Sequence, residues 1–333
     1  MNITATHLAH DLQHVAPLIS CRFSSDGKSV FAGSEDYQVW KFNFDANGEG
    51  DANKPIGYDT DAWVRAMAVL PNRRELITGG YDGRLIWWPE TDAAPKPIRT
   101  VQAHDGWIRA LALSSDRKLL ASVGNDLVVR VWNAETGERL KELRGHESYI
   151  YNVAFHPADA NRLVTGDLMA NLIDWEWEAG KQVRTWRAES LQKYDKTFVA
   201  DIGGFRGMTF SADATALLCS GITNVSNAFA GVGNPSVVAF DWETNQQQIE
   251  HLSKGKVQGV AWGVACLNDG TRVAATGGRG GYLLFWKPEE ANEFHNVKMK
   301  DVGRDLDLSR DGLHLAVPHH NKHLSIFLMD AKK

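Results

Sequence analysis

Aromatic and arginine residues recur in closely spaced pairs along the chain, and these residue types favour molecular recognition. The stretches "AWVRA", "GWIRA" and "SYIYN" place such pairs on either side of one apolar residue: Trp63 and Arg65, Trp107 and Arg109, Tyr149 and Tyr151. Tyr, Trp and Arg contribute most at binding hot spots because they combine large contact area with directional polar groups. The guanidinium group also presents a planar fork that suits carboxylates or phosphates. The pairs therefore predict a binding surface that prefers an acidic peptide or an anionic ligand.

Three histidines in the stretch "VPHHNKHLSIF" are the candidates for metal binding: His319, His320 and His323. Protein metal sites need a fixed set of His, Cys or carboxylate ligands. No cysteine or carboxylate cluster accompanies these histidines in the sequence, so we predict no metal site and no cofactor. His319 and His323 are the residues at which this expectation can be tested.

No motif in the sequence selects a reaction. The glycine-rich stretch "GGRGG" at 277–281 opens no helix, so it is interpreted as a turn and not as a phosphate cradle. Serines beside glycines lack the strand-to-helix context of a hydrolase nucleophile. Cys21, Cys219 and Cys266 each lie in an apolar, strand-like run, which is typical of inert buried thiols. We predict that the protein is not an enzyme.

Composition and charge restrict the class of partner and the compartment. The chain of 333 residues is 43% hydrophobic, which is enough for a large core. Its formal net charge of -5 gives no general attraction to nucleic acid, which is therefore not expected as a partner. No run approaches the roughly 18 apolar residues of a membrane span, so no membrane partner is expected. The cytoplasm is the predicted compartment.

The binding residues must be positioned by strands, because short apolar and polar alternations recur along the whole chain. Stretches such as "RALALSSDRKLLASVGNDLVVRVW" alternate with period two, and turns such as "SSDGKS" and "YDGR" contain Asp-Gly pairs that suit tight hairpins. The spacing between successive repeats is about the 40 to 45 residues that make up one propeller blade. Seven repeats follow, with first-strand anchors at Leu18, Val64, Ile108, Ile150, Phe205, Val257 and Gly303.

The sequence resembles the WD-repeat family of β-propellers, whose repeat begins with Gly-His and ends with Trp-Asp. "RGHESYIYNVAF" and "AHDGWIRALAL" carry the beginning, and "LVVRVWN", "GRLIWWP" and "SVVAFDW" carry the end. The resemblance implies an all-β fold, a seven-bladed β-propeller of four-stranded blades. It covers nearly the whole chain, and we expect a single domain over residues 1–333.

The resemblance also implies a structural role for several polar residues. In this family a His, a Ser or Thr, an Asp and the Trp form a buried hydrogen-bonded network within a blade. In blade three the implied members are His104, Ser122, Asp126 and Trp132. We expect blade three alone to be complete, because blade four has Met169 at the place of the aspartate.

The last blade lacks a fourth strand of its own. Only three residues follow "HLSIFLMD", whereas "NITATHLAH" precedes the first blade and contains the β-branched Ile3, Thr4 and Thr6. We predict that this N-terminal segment supplies the outer strand of blade seven. The alternative is a frayed tail.

Two insertions fall around blade five. The first is "WRAESLQKYDKTFVADIGG", with Phe198, and the second is "GITNVSNAFAGVGNPS", with Phe229. On the family's architecture both emerge on the top face, so they are expected to be neighbours. Long loops of this kind are either functional or merely mobile, and the sequence leaves both open.

In such blades the residues that flank each first-strand anchor point to the top rim around the channel mouth. The partner-binding residues implied there are Trp63, Arg65, Trp107, Arg109, Tyr149, Tyr151, Arg206 and Arg304. The alternative is that nearby aspartates pair with the arginines and leave a nearly neutral mouth. These aspartates are Asp59, Asp61, Asp105, Asp201, Asp301 and Asp305.

Two classes of function follow from these expectations. The favoured one is a non-catalytic scaffold that binds a partner protein or peptide on its top face, with acidic character favoured by the arginines. The alternative is a propeller enzyme or a small-ligand-binding protein that uses the channel mouth, with the blade-five insertions as a lid.

Overall fold

The computed structural model describes residues 1–44, 54–91, 93–197, 199–227, 232–255 and 257–332. Within these ranges the regular secondary structure is almost entirely β-strand, with short 3-10 helices at Ile3–Ala5 and Glu189–Leu191. The chain divides into two compact units. The first contains Met1–Ile108 and Gly303–Lys333, and the second contains Arg109–Val302.

The first unit contains three four-stranded antiparallel sheets, which correspond to blades one, two and seven. Their strands, in hydrogen-bonded order, are β2 (Leu18–Phe23), β3 (Ser29–Ser34), β4 (Gln38–Asn43) and β5 (Ile56–Asp59); β6 (Val64–Leu70), β7 (Glu75–Gly80), β8 (Arg84–Pro89) and β9 (Arg99–Gln102); and β1 (His7–Gln13), β30 (His323–Leu328), β29 (His314–Pro318) and β28 (Asp307–Leu308).

The second unit contains four further sheets of four strands, blades three to six; the first strand of blade three begins one residue before this unit. Their strands are β10 (Ile108–Leu113), β11 (Leu119–Gly124), β12 (Val128–Asn133) and β13 (Arg139–Arg144); β14 (Ile150–His156), β15 (Asp159–Asp167), β16 (Asn171–Glu176) and β17 (Lys181–Arg187); β20 (Gly207–Phe210), β21 (Ala216–Asn227), β22 (Val232–Asp241) and β23 (Gln247–His251); and β24 (Gly259–Cys266), β25 (Arg272–Gly278), β26 (Tyr282–Trp286) and β27 (His295–Lys298). A separate two-stranded sheet pairs β18 (Gln192–Asp195) with β19 (Ala200–Gly203). The described residues thus form seven four-stranded sheets, as the repeat count predicted.

Adjacent blades within each unit pack face to face through apolar side chains. In the second unit Val129 and Val131 of blade three lie in one buried cluster with Phe155 and Trp175 of blade four. The middle strands of the sheets are more buried than the outer ones; every residue of β7 is buried, whereas β9 alternates between exposed and half-buried residues. Burial of an aliphatic or aromatic side chain contributes about 1.5–3 kcal/mol, so these clusters are the main stabilising contribution.

The N-terminal strand completes blade seven, as predicted. β1 pairs antiparallel with β30, from His7 opposite Leu328 to Gln13 opposite His323. The predicted strand formers Ile3, Thr4 and Thr6 lie outside it, because the backbone turns there and the Thr6 hydroxyl donates a hydrogen bond to the Ile3 carbonyl at 2.6 Å. The prediction was correct for the strand and wrong for its first residues.

The predicted network in blade three is supported at its tryptophan end. Trp132 Nε1 donates to Ser122 Oγ at 2.9 Å, and both residues are buried. Asp126 accepts a hydrogen bond from the Arg130 guanidinium at 2.6 Å. His104 is also buried. The burial of His104, Ser122 and Trp132 fits the structural role that the resemblance implies for them.

Blade four contains a complete network, so the expectation that blade three alone has one was wrong. His146 contacts Asp167 Oδ2 at 3.0 Å through Nδ1 and Thr165 Oγ1 at 2.7 Å through Nε2. Trp175 Nε1 donates to the same Thr165 hydroxyl at 2.9 Å. The carboxylate comes from Asp167, two residues before Met169, because Asp167 ends β15 and faces back toward His146.

We expect Trp132→Phe to lower the free energy of unfolding by about 1–2 kcal/mol, because it removes a buried indole N–H bond and part of the ring volume. Urea unfolding followed by intrinsic fluorescence of other tryptophans measures this change. An unchanged unfolding midpoint would contradict the scaffold role of Trp132.

Candidate functional site

The predicted rim residues interrupt the alternation of the first strands because several of them occupy β-bulges. The pairing register shifts on either side of Ile19, Arg65, Tyr151 and Trp262 in blades one, two, four and six. A bulged residue is left out of the strand ladder, and its side chain is re-aimed relative to its neighbours. Arg65 and Tyr151 are therefore displaced from the regular packing of their strands.

Blade six has the same kind of bulge, but its first-strand anchor lies four residues after the position predicted from the sequence. Its first strand begins at Gly259, Ala261 is the fully buried anchor and Trp262 is the bulged residue. The predicted anchor Val257 lies before the strand, and Lys256 lies outside the described residues. Val257 and Ala261 are an even number of residues apart, so alternation alone fits both. Alignment of "AWGVA" with "VRAMA" and "IRALA" is the signal that would have identified Trp262.

The second unit brings two predicted arginines onto one tyrosine. The Arg109 guanidinium lies 4.7 Å from the centroid of the Tyr151 ring, and the Arg206 guanidinium lies 5.0 Å from it. Arg206 is also 5.6 Å from the ring of Trp262. Arg109 Nε donates to Asn125 Oδ1 at 2.8 Å. We call Arg109, Tyr151, Arg206 and Trp262 the arginine cluster; Tyr149, two residues from Tyr151, is 46% exposed.

The first unit contains a continuous row of four aromatic rings, which we call the aromatic row: Tyr37, Trp63, Tyr81 and Trp107. Tyr37 stacks on Trp63 with centroids 6.2 Å apart, Trp63 meets Tyr81 edge-on at 5.9 Å, and Tyr81 stacks on Trp107 at 4.3 Å. Trp107 is 42% exposed and Tyr37 is 55% exposed. Trp107 is thus a surface residue, as predicted.

Sequence reasoning missed Tyr37 and Tyr81. Both stand in the turns between the second and third strands, in "SEDYQ" and "GGYDG", one blade apart. Tyr37 is the third residue of its turn and Tyr81 is the first, so alignment of the repeats does not bring them to one position. The stacking itself depends on the packing of neighbouring blades, which no local pattern contains.

Arg65 is directed at backbone carbonyls of the first unit. Its guanidinium donates to the Arg304 carbonyl at 3.1 Å and lies 3.5 Å from the Ile19 carbonyl. The Arg304 backbone N–H donates to the Pro318 carbonyl at 3.0 Å. Arg65 therefore has a structural contact within this unit in addition to its predicted place on the rim.

Two aspartates that follow Arg304 attach blade seven to β2. Asp305 accepts hydrogen bonds from Arg22 Nη1 at 2.9 Å and from the Cys21 N–H at 3.1 Å. Asp307 accepts one from the Phe23 N–H at 2.7 Å. Burial raises the pKa of the Asp307 carboxyl to about 6, although the charge of Arg22 acts in the opposite direction. The carboxylates take the place of a strand partner along the unpaired edge of β2.

Two of the aspartates considered as partners for the rim arginines pair with other arginines. Asp305 pairs with Arg22, and Asp61 lies 3.7 Å from Arg84. Arg84 also pairs with Asp82. These two aspartates therefore do not neutralise the rim arginines, contrary to what the alternative interpretation expected.

The blade-five insertions are neighbours, as expected. The first forms the β18–β19 hairpin, and the second extends the β21–β22 hairpin. Lys193 Nζ donates to the Val225 carbonyl at 2.7 Å, which joins the two insertions. Leu191 is fully buried and anchors the first insertion in an apolar cluster with Phe205. Phe198 and Phe229 lie outside the described residues.

The histidines of "VPHHNKHLSIF" lie in and beside the turn between β29 and β30. His319 is fully buried, and its Nε2 contacts Ser325 Oγ at 2.9 Å. His323 Nδ1 contacts Asp11 at 3.0 Å. Over the described ranges, no group of three or more His, Cys, Asp or Glu side chains is arranged to hold a metal ion.

An open cleft of about 630 Å³ lies on the second unit, where it is lined by His156 and Trp242 among others. Arg184 lies 4.4 Å from the Trp242 ring centroid and donates to the buried Asp174 at 2.7 Å, and Arg162 donates to the same carboxylate. Burial lowers the pKa of His156. Carboxylates also line this cleft, so its mixed charge selects no ligand class.

Comparison with known proteins identifies the repeat. Three stretches match the WD40 family, described as "WD domain, G-beta repeat": residues 55–89, 95–133 and 137–171. Protein hir1 of Schizosaccharomyces pombe is 25% identical over 281 residues, which are 76% of this chain and 28% of that protein. Protein groucho of Drosophila melanogaster is 26% identical over 177 residues, which are 52% of this chain and 24% of that protein. The chain thus spans less than a third of the length of these curated relatives.

A solved structure shares the fold across the whole chain. The WD40 β-propeller domain of Doa1 superposes with a TM-score of 0.76 at 16% identity and covers 98% of both chains. No helix among the described residues is long and apolar enough to cross a membrane. Repeat sequence, seven four-stranded sheets and structural similarity agree: the chain matches the WD repeat at three stretches within residues 55–171, and it has the seven-bladed β-propeller fold.

Proposed function

We propose that this protein is a non-catalytic scaffold that binds a partner protein or peptide through its bulge and loop residues. A scaffold or protein-interaction role fits the WD-repeat relatives. The observation that supports the binding site most directly is the arginine cluster, where Arg109 and Arg206 both lie on Tyr151. We propose the cytoplasm as its compartment and no role for nucleic acid or membrane, in line with the net charge of -5.

The arginine cluster fits an acidic segment of the partner. Aromatic rings hold the guanidinium planes by cation–π contact and reduce their freedom, so less conformational entropy is lost when a carboxylate binds. Exposed Tyr149 adds contact area beside the cluster. Association with an acidic partner is expected to weaken as salt rises, because exposed charges are screened within about 8–10 Å at physiological ionic strength.

We expect the double variant Tyr149→Ala, Arg206→Gln to lose its partner while it remains folded. Quantitative affinity purification from the native cell should show one or more proteins depleted at least tenfold relative to the wild type. The purified partner should then bind the wild type more weakly at high salt than at low salt.

The matched control is Leu140→Ala, Arg144→Gln on the outer strand β13, where the two side chains are 40% and 68% exposed. It removes one exposed large side chain and one arginine from another surface and should keep the partner. Identical sets of co-purifying proteins for both double variants and the wild type would reject the proposed site.

A further inference from the structure

We propose that the aromatic row is a second docking site, which binds a segment of a partner protein that carries arginine. The inference goes beyond the proposed function because it concerns the first unit alone and a partner segment of opposite charge. It does not depend on the arginine cluster.

The row presents two exposed aromatic side chains, which are joined by the half-buried Trp63 and Tyr81. Its two ends, Tyr37 and Trp107, are 55% and 42% exposed, and both are among the largest side chains of the chain. Exposed contiguous apolar surface marks interaction sites more often than isolated exposed residues do. The stacked contacts between the rings make the four residues one surface.

The rings are held in place before any partner binds. Trp63 Nε1 donates to the Glu35 carbonyl at 3.0 Å, and the Tyr81 N–H donates to the Trp63 carbonyl at 2.9 Å. Tyr81 and Trp107 lie nearly parallel, with 12° between their planes. A preorganised surface loses little side-chain entropy on binding, which favours affinity.

Acidic residues lie close in sequence to every member of the row. Each member of the row has at least one acidic residue within two positions: Glu35, Asp36, Asp61, Asp82 and Asp105. Asp36 is engaged by His14 and Trp40. Asp61, whose side chain is 72% exposed, shares the single cation Arg84 with Asp82, so this pair keeps a net negative charge. Two arginines also lie within two residues of the row: Arg65 donates to carbonyl oxygens, and Arg109 donates to Asn125.

Aromatic faces beside carboxylates suit a guanidinium group better than any other side chain. A flat guanidinium stacks on Trp and Tyr rings by cation–π contact and forms paired hydrogen bonds to a carboxylate. An ammonium group lacks both the planar stacking and the fork. An acidic segment would be repelled by Asp61 and Asp82, so charge complementarity selects a basic segment for this surface.

The test is selection of peptides from a library on the immobilised full chain. The library randomises seven consecutive positions, and enriched clones are sequenced for the wild type and for the variants. We expect arginine to be enriched at one or more positions at least fivefold over the input and over lysine. We expect Tyr37→Ala, Trp107→Ala to lose this enrichment, and selected peptides to bind it at least tenfold more weakly by fluorescence anisotropy.

A second variant tests the charge without disturbing the stacked rings. Asp61→Asn should weaken the selected arginine peptides severalfold and reduce the salt dependence of their binding. The control Ile98→Ala removes a side chain that is 48% exposed elsewhere in the same unit and should change nothing. Circular dichroism melting identifies any variant that fails to fold. If Tyr37→Ala, Trp107→Ala fails to fold, the binding result for Asp61→Asn decides whether the docking site exists.

The outcomes separate this inference from the proposed function. Arginine peptides that survive in both the Tyr37→Ala, Trp107→Ala variant and Asp61→Asn, or a library that enriches no arginine, would overturn the second docking site. Loss of the co-purifying partner in Tyr149→Ala, Arg206→Gln with retention of the arginine peptides would show that the two surfaces act independently. If only the proposed site for an acidic partner fails its test, the result for the arginine peptides is unaffected.

Discussion

Replacing Asp167 with alanine is expected to lower the free energy of unfolding by about 3–5 kcal/mol, because it breaks a buried network at its most connected residue. The side chain of Asp167 is almost fully buried. Besides His146, it accepts hydrogen bonds from the N–H groups of Met169 and Asn171, each at 2.9 Å. Alanine would leave these donors without their acceptor in a site that water cannot easily reach. Urea unfolding of the variant and the wild type measures the loss.

Blade one supplies a matched control for this substitution. Asp36 binds His14 at 3.0 Å and the Trp40 indole, but its side chain is 26% exposed. Water can therefore replace the missing carboxylate, and Asp36→Ala should cost only about 1 kcal/mol. Asp167→Asn, which keeps the shape and one acceptor oxygen, should fall between the two. Equal losses for Asp167→Ala and Asp36→Ala would show that burial does not set the strength of these networks.

The two aspartates also show which parts of the fold a sequence pattern can predict. Period-two alternation and Asp-Gly turns are local features, so the strands and their count follow from residues close in the chain. The strand β1 was predictable as well, because blade seven lacked an outer strand and few other segments remained. The role of Asp167 was not predictable, since a carboxylate two residues from the expected place reaches the same histidine through the geometry of the chain.

The candidate sites were predictable only in part, and for a related reason. The spacing of Trp63, Trp107 and the arginines follows the repeat, so their positions could be read from one blade to the next. Tyr37 could not be recognised in this way, and Trp262 could be found only by aligning its strand with the first strands of blades two and three. One contacts a ring of the neighbouring blade, and the other depends on a bulge whose register the alternation does not specify.

Gly259→Ala should lower the free energy of unfolding by about 2–5 kcal/mol, because Gly259 pairs closely with the glycine-rich stretch at 277–281. Gly259 has φ +131°, and it lies opposite Gly278, whose φ is +153°. A Cβ on Gly259 would stand 1.9 Å from the Gly277 carbonyl oxygen and 2.8 Å from the Gly278 Cα. Both obstacles are backbone atoms of the paired strand β25, so β24 and β25 would have to separate. The two strands are close enough to pair there only because neither carries a side chain.

Gly280→Ala is the control that separates the clash from the backbone conformation. Gly280 also has a positive φ, +89°, but no atom lies within 4 Å of the position of its Cβ. Its replacement should cost about 1 kcal/mol, from the left-handed conformation alone. Urea unfolding of both variants measures the difference. If the two substitutions cost the same, close approach of the strands is not what requires glycine at 259, and the explanation of this stretch as a strand-pairing device is wrong.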